Sequence, residues 1–129
     1  MCGILGIFGS SLPEHEVRQK LIECSLRLRH RGPDWSGYFV EDGNAIAHER
    51  LAIIDPESGA QPLFSPNKEI VVAANGEIYN YRDIYSRIPE KYTPITGSDC
   101  EVVIPIYQQV CEYNDIYQCE IFINKIIHI

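Results

Sequence analysis

Cys2 directly follows the initiator methionine and opens the short sequence Cys2-Gly3-Ile4. Once Met1 is removed, this residue carries both a thiol and a free α-amine. A thiol, with an ordinary pKa near 8.5, is mostly protonated at neutral pH, whereas an α-amine with a pKa of about 7.7 to 8.0 is able to accept its proton. A nucleophile and a base would then share one residue, as in catalysts that pair a terminal threonine with its own amine. A second-position cysteine by itself indicates little, because free cysteine usually behaves as a small buried hydrophobe.

Four polar segments interrupt the apolar runs and give this cysteine its context. They are Arg29-His30-Arg31-Gly32-Pro33-Asp34-Trp35-Ser36-Gly37, His48-Glu49-Arg50-Leu51-Ala52-Ile53-Ile54-Asp55, Asn75-Gly76-Glu77-Ile78-Tyr79-Asn80-Tyr81 and Gly97-Ser98-Asp99-Cys100-Glu101. With the amino-terminal MCGI, they make residues 1 to about 110 resemble the glutamine-hydrolysing domain of asparagine synthetase. HRGPDWSG and NGEIYNY favour this group over the amidotransferases that make glucosamine phosphate or phosphoribosylamine.

The resemblance implies a complete set of roles for hydrolysing the side-chain amide of glutamine. Cys2 would attack the amide carbon, and its own α-amine would carry the proton to the departing ammonia. The side-chain amide of Asn75 and the backbone N–H of Gly76 would form the oxyanion hole. Arg50 matches the arginine that grips the α-carboxylate of glutamine, a task suited to its planar bidentate group. The other implied substrate contacts are acceptors for the α-ammonium and backbone groups of a strand: Glu77, Asp99, Leu51, Ala52, Ile53 and Ile54.

Each of these residues also has an ordinary structural interpretation. Asn75-Gly76 alone is typical of a hairpin turn, Arg50 alone of a surface charge, and Asp99 alone of a helix cap. Their joint order and approximate spacing favour the glutaminase interpretation.

The histidines receive no catalytic role, since the terminal amine already fills the task of carrying the proton. We expect His30, Arg31 and Asp34 to hold the Gly32-Pro33 loop near the active site. The remaining cysteines are interpreted as structural or incidental: Cys24, Cys100, Cys111 and Cys119.

Composition and charge restrict the class of protein. The chain has 129 residues, of which 45% are hydrophobic and 22% charged, as expected for one ordinary globular domain. A net charge of −7 without a basic cluster argues against binding to nucleic acid or to an anionic membrane surface. Five cysteines without metal-ligand spacing predict neither a disulfide framework nor a zinc site. With no leader-like amino terminus, we expect a cytoplasmic protein that binds L-glutamine.

Hydrophobic patterning and turn residues predict the order of elements. We expect strands at residues 4–8, 38–40, 45–48, 50–54, 70–74 and 92–95, with a loop over 56–66. We expect one helix from the capping residue Ser11 to about residues 30–33, with Val17, Leu21, Cys24 and Leu28 on its apolar face. Further helices are expected at 81–88 and, capped by Ser98 and kinked at Pro105, at 99–110.

This order fits an α+β fold. The resemblance implies a partial four-layer α/β/β/α sandwich of the Ntn-hydrolase type, incomplete at its carboxyl end. Residues 1–110 are expected to form the incomplete glutamine amidotransferase domain. Residues 111–129 are rich in isoleucine, lose the family pattern and lack glycine, alanine, proline and leucine. A translated intron, a frameshift or an alternative end would explain that composition.

We therefore expect the glutaminase part of an asparagine synthetase, cut short. The glutaminase step needs no cofactor, whereas ATP and Mg²⁺ belong to the family's synthetase domain, which converts aspartate to asparagine and is absent from this chain. That domain would be the partner in the intact family, and a homodimer remains open. Two alternatives also remain open: a non-catalytic fragment or partner-binding module, and the glutaminase domain of another amidotransferase.

Overall fold

Three antiparallel strands form the larger sheet, with the third strand of the chain between the first and the second, and two short strands form a second sheet. The computed structural model describes residues 1–52, 59–88 and 92–113. Its elements are β1 Gly3–Ile7, α1 Glu14–Ser25, a 3-10 turn Leu26–Leu28, β2 Trp35–Glu41, β3 Asn44–Arg50, β4 Leu63–Phe64, β5 Val71–Val72, α2 Tyr81–Arg87, a 3-10 helix Asp99–Val102 and α3 Val103–Tyr113. These helices and small sheets make the described part an α+β fold, as predicted.

Helix α1 covers one face of the larger sheet. Val17 and Leu21 lie one turn apart on the helix, are both buried, and pack against Ala45 and Ala47 of β3. Alternation along the strands brings further side chains to the same face. These partly buried neighbours are Leu5, Ile7, Tyr38 and Val40.

The strands expected at 38–40 and 45–48 are confirmed, and they form a hairpin of β2 and β3. Glu41 and Asn44 are the last paired residues before the turn, which leaves Asp42 and Gly43 as a two-residue loop. Both loop residues have positive φ, 46° and 73°. That conformation is the one a tight hairpin turn with the strands' own twist requires, and aspartate followed by glycine adopts it readily.

The second sheet shares its core with α3. Leu63 of β4, Cys100 and Ile104 are buried together. Ile70, Val72, Ala74 and Tyr92 pack against them. This cluster fixes the start of the last helix against the end of β5, so that the segments containing Asn75 and Asp99 approach each other.

Three expectations for α1 are wrong: its cap, its end and one residue of its buried face. The helix begins at Glu14 with Pro13 before it, and no side-chain hydrogen bond caps it, so Ser11 is not the cap. The helix ends at Ser25, and Ser25 rather than Cys24 completes the buried row with Val17 and Leu21, since residues four apart share a face. Cys24 is exposed.

Several strand boundaries also differ from the expectation. Strand β3 ends at Arg50, and residues 51 and 52 are not strand, because their backbone groups turn toward other loops instead of a ladder. Strand β4 lies within the expected 56–66 loop. Residues 92–95 form no strand; the buried carboxylate of Glu101 accepts the backbone N–H of Ile95 and of Thr96 instead, at 2.6 and 2.7 Å.

The helix expected at 99–110 has two parts. It begins as the 3-10 segment Asp99–Val102 and becomes α-helical at Val103, without a side-chain cap from Ser98. Pro105 therefore lies in the first α-helical turn, where a missing N–H costs little. The change of helix type falls two residues before Pro105, and the kink expected at Pro105 stays a prediction. Helix α2 agrees with the prediction for residues 81–88 to within one residue.

Across the described ranges, no helix is long and apolar enough to cross a membrane.

Candidate active site

The amino terminus is fixed beside the end of β3 by strand pairing. Gly3 of β1 pairs with Glu49, and the register continues from there to Ile7 opposite Ala45. Cys2, one residue before this pairing begins, therefore lies next to Arg50 and Leu51. Gly3 is needed here, because a Cβ at that position would lie 2.8 Å from the Leu28 Cβ.

A cavity of about 270 Å³ opens at this end of the sheet. This volume is of the size that suits a small ligand. Most of the sequence-predicted site residues lie in its walls: Cys2, Arg50, Leu51, Asn75, Gly76, Glu77 and Asp99. Ala52 is not among the residues lining it, and Ile53 and Ile54 fall outside the described residues.

The backbone of Cys2 is held from two sides. Arg31 Nε donates to the Cys2 carbonyl oxygen at 3.0 Å, and the Cys2 nitrogen donates to Asn75 Oδ1 at 2.9 Å. In this chain Met1 precedes Cys2, so that nitrogen is a peptide N–H. Removal of Met1 would leave an α-amine at the same place, still within reach of Asn75.

The sulfur of Cys2 faces the backbone of Leu51. The Leu51 N–H donates to Sγ at 3.3 Å, and Sγ lies 3.7 Å from the Leu51 carbonyl oxygen. An N–H directed at sulfur stabilises negative charge there, and the carbonyl can accept the proton of the neutral thiol. Leu51 thus offers the Cys2 sulfur both a backbone donor and a backbone acceptor.

Asn75 has its side chain oriented by this contact. A backbone N–H can only donate, so Oδ1 must be the atom that faces Cys2. The Nδ2 group, the donor end of the amide, is thereby left for an acceptor elsewhere in the cavity. At Gly76, a Cβ would meet no atom of the described residues within 4 Å, so packing among these residues does not require glycine there.

The cavity walls carry charges of both signs. Arg50 ends β3 and is only 6% exposed, and Asp99 begins the last helix and is 4% exposed. Asp99 accepts the backbone N–H of Ile78 through Oδ2, which ties the turn after β5 to the helix start. Glu77, half-buried, adds a second carboxylate. A cationic and an anionic wall facing one small cavity complement the two charged ends of a free amino acid.

The loop between α1 and β2 holds the end of β3 in place. Asp34 Oδ2 accepts the Ala52 N–H at 2.9 Å, and the Asp34 N–H donates to the Arg50 carbonyl at 3.0 Å. Leu51 is fixed between these two contacts. A Cβ at Gly32 would overlap the backbone carbonyl of Glu49. The expectation that His30, Arg31 and Asp34 hold this loop near the site agrees with these contacts for Arg31 and Asp34, and for His30 it stays a prediction.

Cys100 lines the cavity, and its thiol is buried. Burial raises the pKa of its thiol to about 12, with Asp99 adding to the shift through its charge and a hydrogen bond, and Cys2 and Glu77 through charge. Its Sγ donates to the Gly76 carbonyl at 3.5 Å. A thiol that stays protonated at neutral pH is not reactive, and the structural interpretation of Cys100 holds.

Several lining residues were not assigned a role from the sequence. Gln61 and Ser98 line the cavity, yet Ser98 reads as a helix cap and Gln61 as one polar residue in a loop. No pattern in the sequence distinguishes Gln61. The only sequence signal for the contact of Arg31 with Cys2 is the position of Arg31 in the HRGPD segment. In the described part of the chain, no group of three or more His, Cys, Asp and Glu side chains could hold a metal ion.

Comparison with known proteins agrees with this geometry. A family model described as "Glutamine amidotransferase domain" matches residues 1–118. The chain is 50% identical over 109 residues to asparagine synthetase [glutamine-hydrolyzing] 1 of Arabidopsis thaliana, covering 84% of the chain and 18% of that protein. It is 47% identical over 109 residues to asparagine synthetase B [glutamine-hydrolyzing] of Escherichia coli, covering 84% and 20%. Against a Zea mays asparagine synthetase it is 47% identical over 112 residues, covering 87% and 19%.

The chain spans about a fifth of the length of these relatives. The family match covers most of the chain and includes every residue that lines the cavity. The resemblance inferred from MCGI, HRGPDWSG and NGEIYNY is thereby confirmed. The chain belongs to the glutamine amidotransferase domain family.

Proposed function

We propose that this chain hydrolyses the side-chain amide of glutamine to glutamate and ammonia, with Cys2 as the nucleophile. The observation that carries the proposal is the pair of hydrogen bonds at the sulfur and the nitrogen of Cys2. Its sulfur receives the Leu51 N–H at 3.3 Å and its nitrogen lies 2.9 Å from Asn75 Oδ1. Both contacts lie at a cavity whose walls bear Arg50 and Asp99.

The reaction divides into two acyl transfers. The Cys2 thiolate attacks the amide carbon, the C–N bond breaks, and ammonia leaves with a proton delivered by the α-amine of Cys2. A γ-glutamyl thioester remains on the sulfur. Water then attacks the thioester carbon, with its proton passing to the same amine, and glutamate leaves as the thiolate is regenerated. Met1 must be removed before this amine exists.

We assign the oxyanion hole to Asn75 and Gly76. Asn75 Oδ1 faces the Cys2 nitrogen, which turns the Nδ2 donor toward the cavity. The Gly76 N–H supplies the second donor, and the absence of a Cβ leaves room for the substrate. Donors placed beforehand stabilise negative charge on the amide oxygen without reorganising during the reaction.

The two ends of free glutamine are assigned to opposite charges. Arg50 binds the α-carboxylate, for which a planar, buried guanidinium is well suited. Asp99 and Glu77 receive the α-ammonium. The backbone of Leu51, Ala52, Ile53 and Ile54 passes beside the substrate, as the family resemblance implies. Recognition of both ends favours free glutamine over glutamine within a peptide.

The names of the relatives suggest a use for the ammonia. In a longer protein of the asparagine synthetase type, it would supply the ATP-dependent conversion of aspartate to asparagine. We assign ATP and Mg²⁺ to that other part of the protein, and no cofactor to the glutaminase step. The fold would be the four-layer α/β/β/α sandwich of the Ntn type, with residues 1–110 as its portion here and 111–129 as a divergent tail. A cytoplasmic location fits this metabolism.

A glutaminase assay on the purified chain tests the proposal. Chains with and without Met1 removed are compared with Cys2→Ala and with Cys24→Ala, a control at an exposed cysteine. We expect glutamate release from the processed chain, none from Cys2→Ala, and unchanged release from Cys24→Ala. Glutamate release that survives Cys2→Ala would refute the proposal, and a folded processed chain without any release would favour the non-catalytic alternative.

A further inference from the structure

The backbone of Ala74 lies between the smaller sheet and the Asn-Gly turn. The pairing of β4 with β5 ends at Val72, so the ladder does not extend to Ala74. Half-buried backbone groups still require hydrogen-bond partners. Two side chains supply them: Gln61 Oε1 accepts the Ala74 N–H at 2.6 Å, and His48 Nε2 lies 3.0 Å from the Ala74 carbonyl oxygen.

His48 reaches Ala74 from the middle of the larger sheet. It lies on β3 opposite Ile4 of β1 and Gly37 of β2, and it is fully buried. A carbonyl can only accept, so Nε2 carries the hydrogen in this contact. Nδ1 is then the acceptor nitrogen, and among the described residues it has no partner.

An unpaired buried nitrogen argues that packing alone does not explain this histidine. Leaving a buried polar atom unsatisfied costs about 1 to 3 kcal/mol. A phenylalanine would fill a similar space without that cost. The contact with Ala74 is the feature that a phenylalanine could not reproduce.

Gln61 holds the peptide group that precedes the one His48 contacts, since it accepts the Ala74 N–H. Its side chain is buried and lines the cavity. Its backbone passes so close to β2 that a Cβ at Gly37 would overlap the Gln61 carbonyl oxygen. Gln61 is therefore fixed against the larger sheet, as His48 is, and Ala74 is held between two rigid supports.

We propose that His48 and Gln61 are positioning residues that fix the two peptide groups on either side of the Ala74 Cα and thereby hold Asn75 at Cys2. Asn75 follows Ala74 directly and is exposed, so packing of its own side chain does not place it. Its contact with the Cys2 nitrogen, at 2.9 Å, depends on where the backbone puts it. The inference rests on the proposed glutaminase function, in which a misplacement of about 1 Å can cost on the order of 100-fold.

Paired variants of the full chain without Met1 test this positioning role of His48 and Gln61, which we call the clamp. His48→Phe removes the donor and keeps a ring, whereas His48→Gln keeps an N–H donor at a similar reach. Gln61→Met removes the acceptor and keeps the length, whereas Gln61→Glu keeps an acceptor. His15→Phe and Gln19→Met repeat the disruptive changes at exposed positions of α1. Turnover is counted per Cys2 that a diazo analogue of glutamine labels.

We expect His48→Phe and Gln61→Met to lower kcat per labelled site by roughly 10- to 100-fold, with the KM for glutamine within about threefold of wild type. His48→Gln and Gln61→Glu should recover most of the loss, and the α1 controls should match wild type. A variant that merely unfolds loses labelled sites but keeps its turnover per site, and that result would overturn the clamp. So would disruptive and conservative variants that behave alike. A folded wild-type chain without activity or labelling would overturn the proposed function together with the clamp.

Discussion

At the scale of single residues, the site depends on contacts that Cys2 makes to three separate segments. Arg31 holds its carbonyl, Asn75 its nitrogen and Leu51 its sulfur. Each contact uses a different atom of the cysteine, so the backbone and the side chain are fixed independently. A nucleophile oriented in this way needs little rearrangement to reach a bound amide carbon.

Asn75→Asp separates the two tasks proposed for that side chain. Aspartate keeps the oxygen that accepts from the Cys2 nitrogen but replaces the Nδ2 donor with a second acceptor. We expect kcat for glutamine to fall about 100- to 1000-fold, the usual effect of losing an oxyanion donor. Steady-state kinetics measure the loss, and Asn67→Asp is the matched change at an exposed asparagine outside the cavity. Turnover within a few-fold of wild type would remove Asn75 from the oxyanion hole.

Arg50→Lys tests recognition of the α-carboxylate. Lysine keeps the positive charge but loses the bidentate geometry, and a hydrogen bond to a charged group is worth about 1.5 to 3 kcal/mol. We expect the KM for glutamine to rise roughly 10-fold or more while kcat changes less. Arg18→Lys, an exposed substitution on α1, is the control. An unchanged KM would show that Arg50 does not bind the substrate.

At the scale of elements, the loop between α1 and β2 supports the residues beside Cys2 through hydrogen bonds. Asp34 pins Arg50 and Ala52 on either side of Leu51. Gly32 permits this approach, since any side chain there would collide with the backbone of Glu49. The HRGPD segment thus supports Leu51, whose N–H contacts the Cys2 sulfur.

Gly32→Ala should lower stability, whereas Gly76→Ala should lower glutamine turnover. Gly32→Ala forces backbone atoms apart, and we expect it to lower the free energy of unfolding by about 1 to 3 kcal/mol. The Cβ that Gly76→Ala adds meets no atom of the described residues within 4 Å. Stability should therefore change little while glutamine turnover falls. Urea unfolding and the glutaminase assay together measure both effects. Equal stability of the two variants would contradict the packing described for Gly32.

Elements were predictable where a local pattern specified them. The Asp42-Gly43 turn and the hairpin around it follow from residues that favour positive φ. Strand β4 and the irregular segment 92–95 were not predictable, because residues outside each segment decide them. The carboxylate of Glu101 captures the N–H groups of Ile95 and Thr96, and no periodicity in 92–95 signals this competition.

At the scale of the whole molecule, the site lies where the two sheets meet. Cys2 directly precedes β1, Arg50 ends β3, and the segment after β5 supplies Asn75 and Gly76. Most of the residues that the sequence motifs indicated line the cavity. The motifs did not indicate that the walls would include Gln61 or that Leu51 would direct its N–H at the sulfur, because both depend on tertiary backbone placement.

The buried histidine between the sheets should make stability depend on pH. Burial lowers the pKa of His48, with Arg50 adding to the shift, while the hydrogen bond to Ala74 and the charge of Glu49 oppose it. Above about pH 6.5 the imidazole is neutral in both states. Below that, the unfolded chain takes up a proton that the folded chain does not, so stability falls by up to about 1.4 kcal/mol per pH unit.

Denaturant unfolding between pH 7 and pH 5 measures this dependence. His48→Gln, which does not titrate, should flatten the decline, and His15→Asn, at an exposed position, should leave it intact. An equally steep decline in His48→Gln would assign it to other groups.

The measurement that tests the central claim most directly is mass spectrometry of the chain after reaction with a diazo analogue of glutamine. The account predicts that Met1 is absent, that one label is attached, and that the labelled residue is Cys2, with free glutamine protecting it. A folded chain that stays unlabelled at Cys2, or that hydrolyses glutamine at full rate while Met1 is still attached, would contradict it.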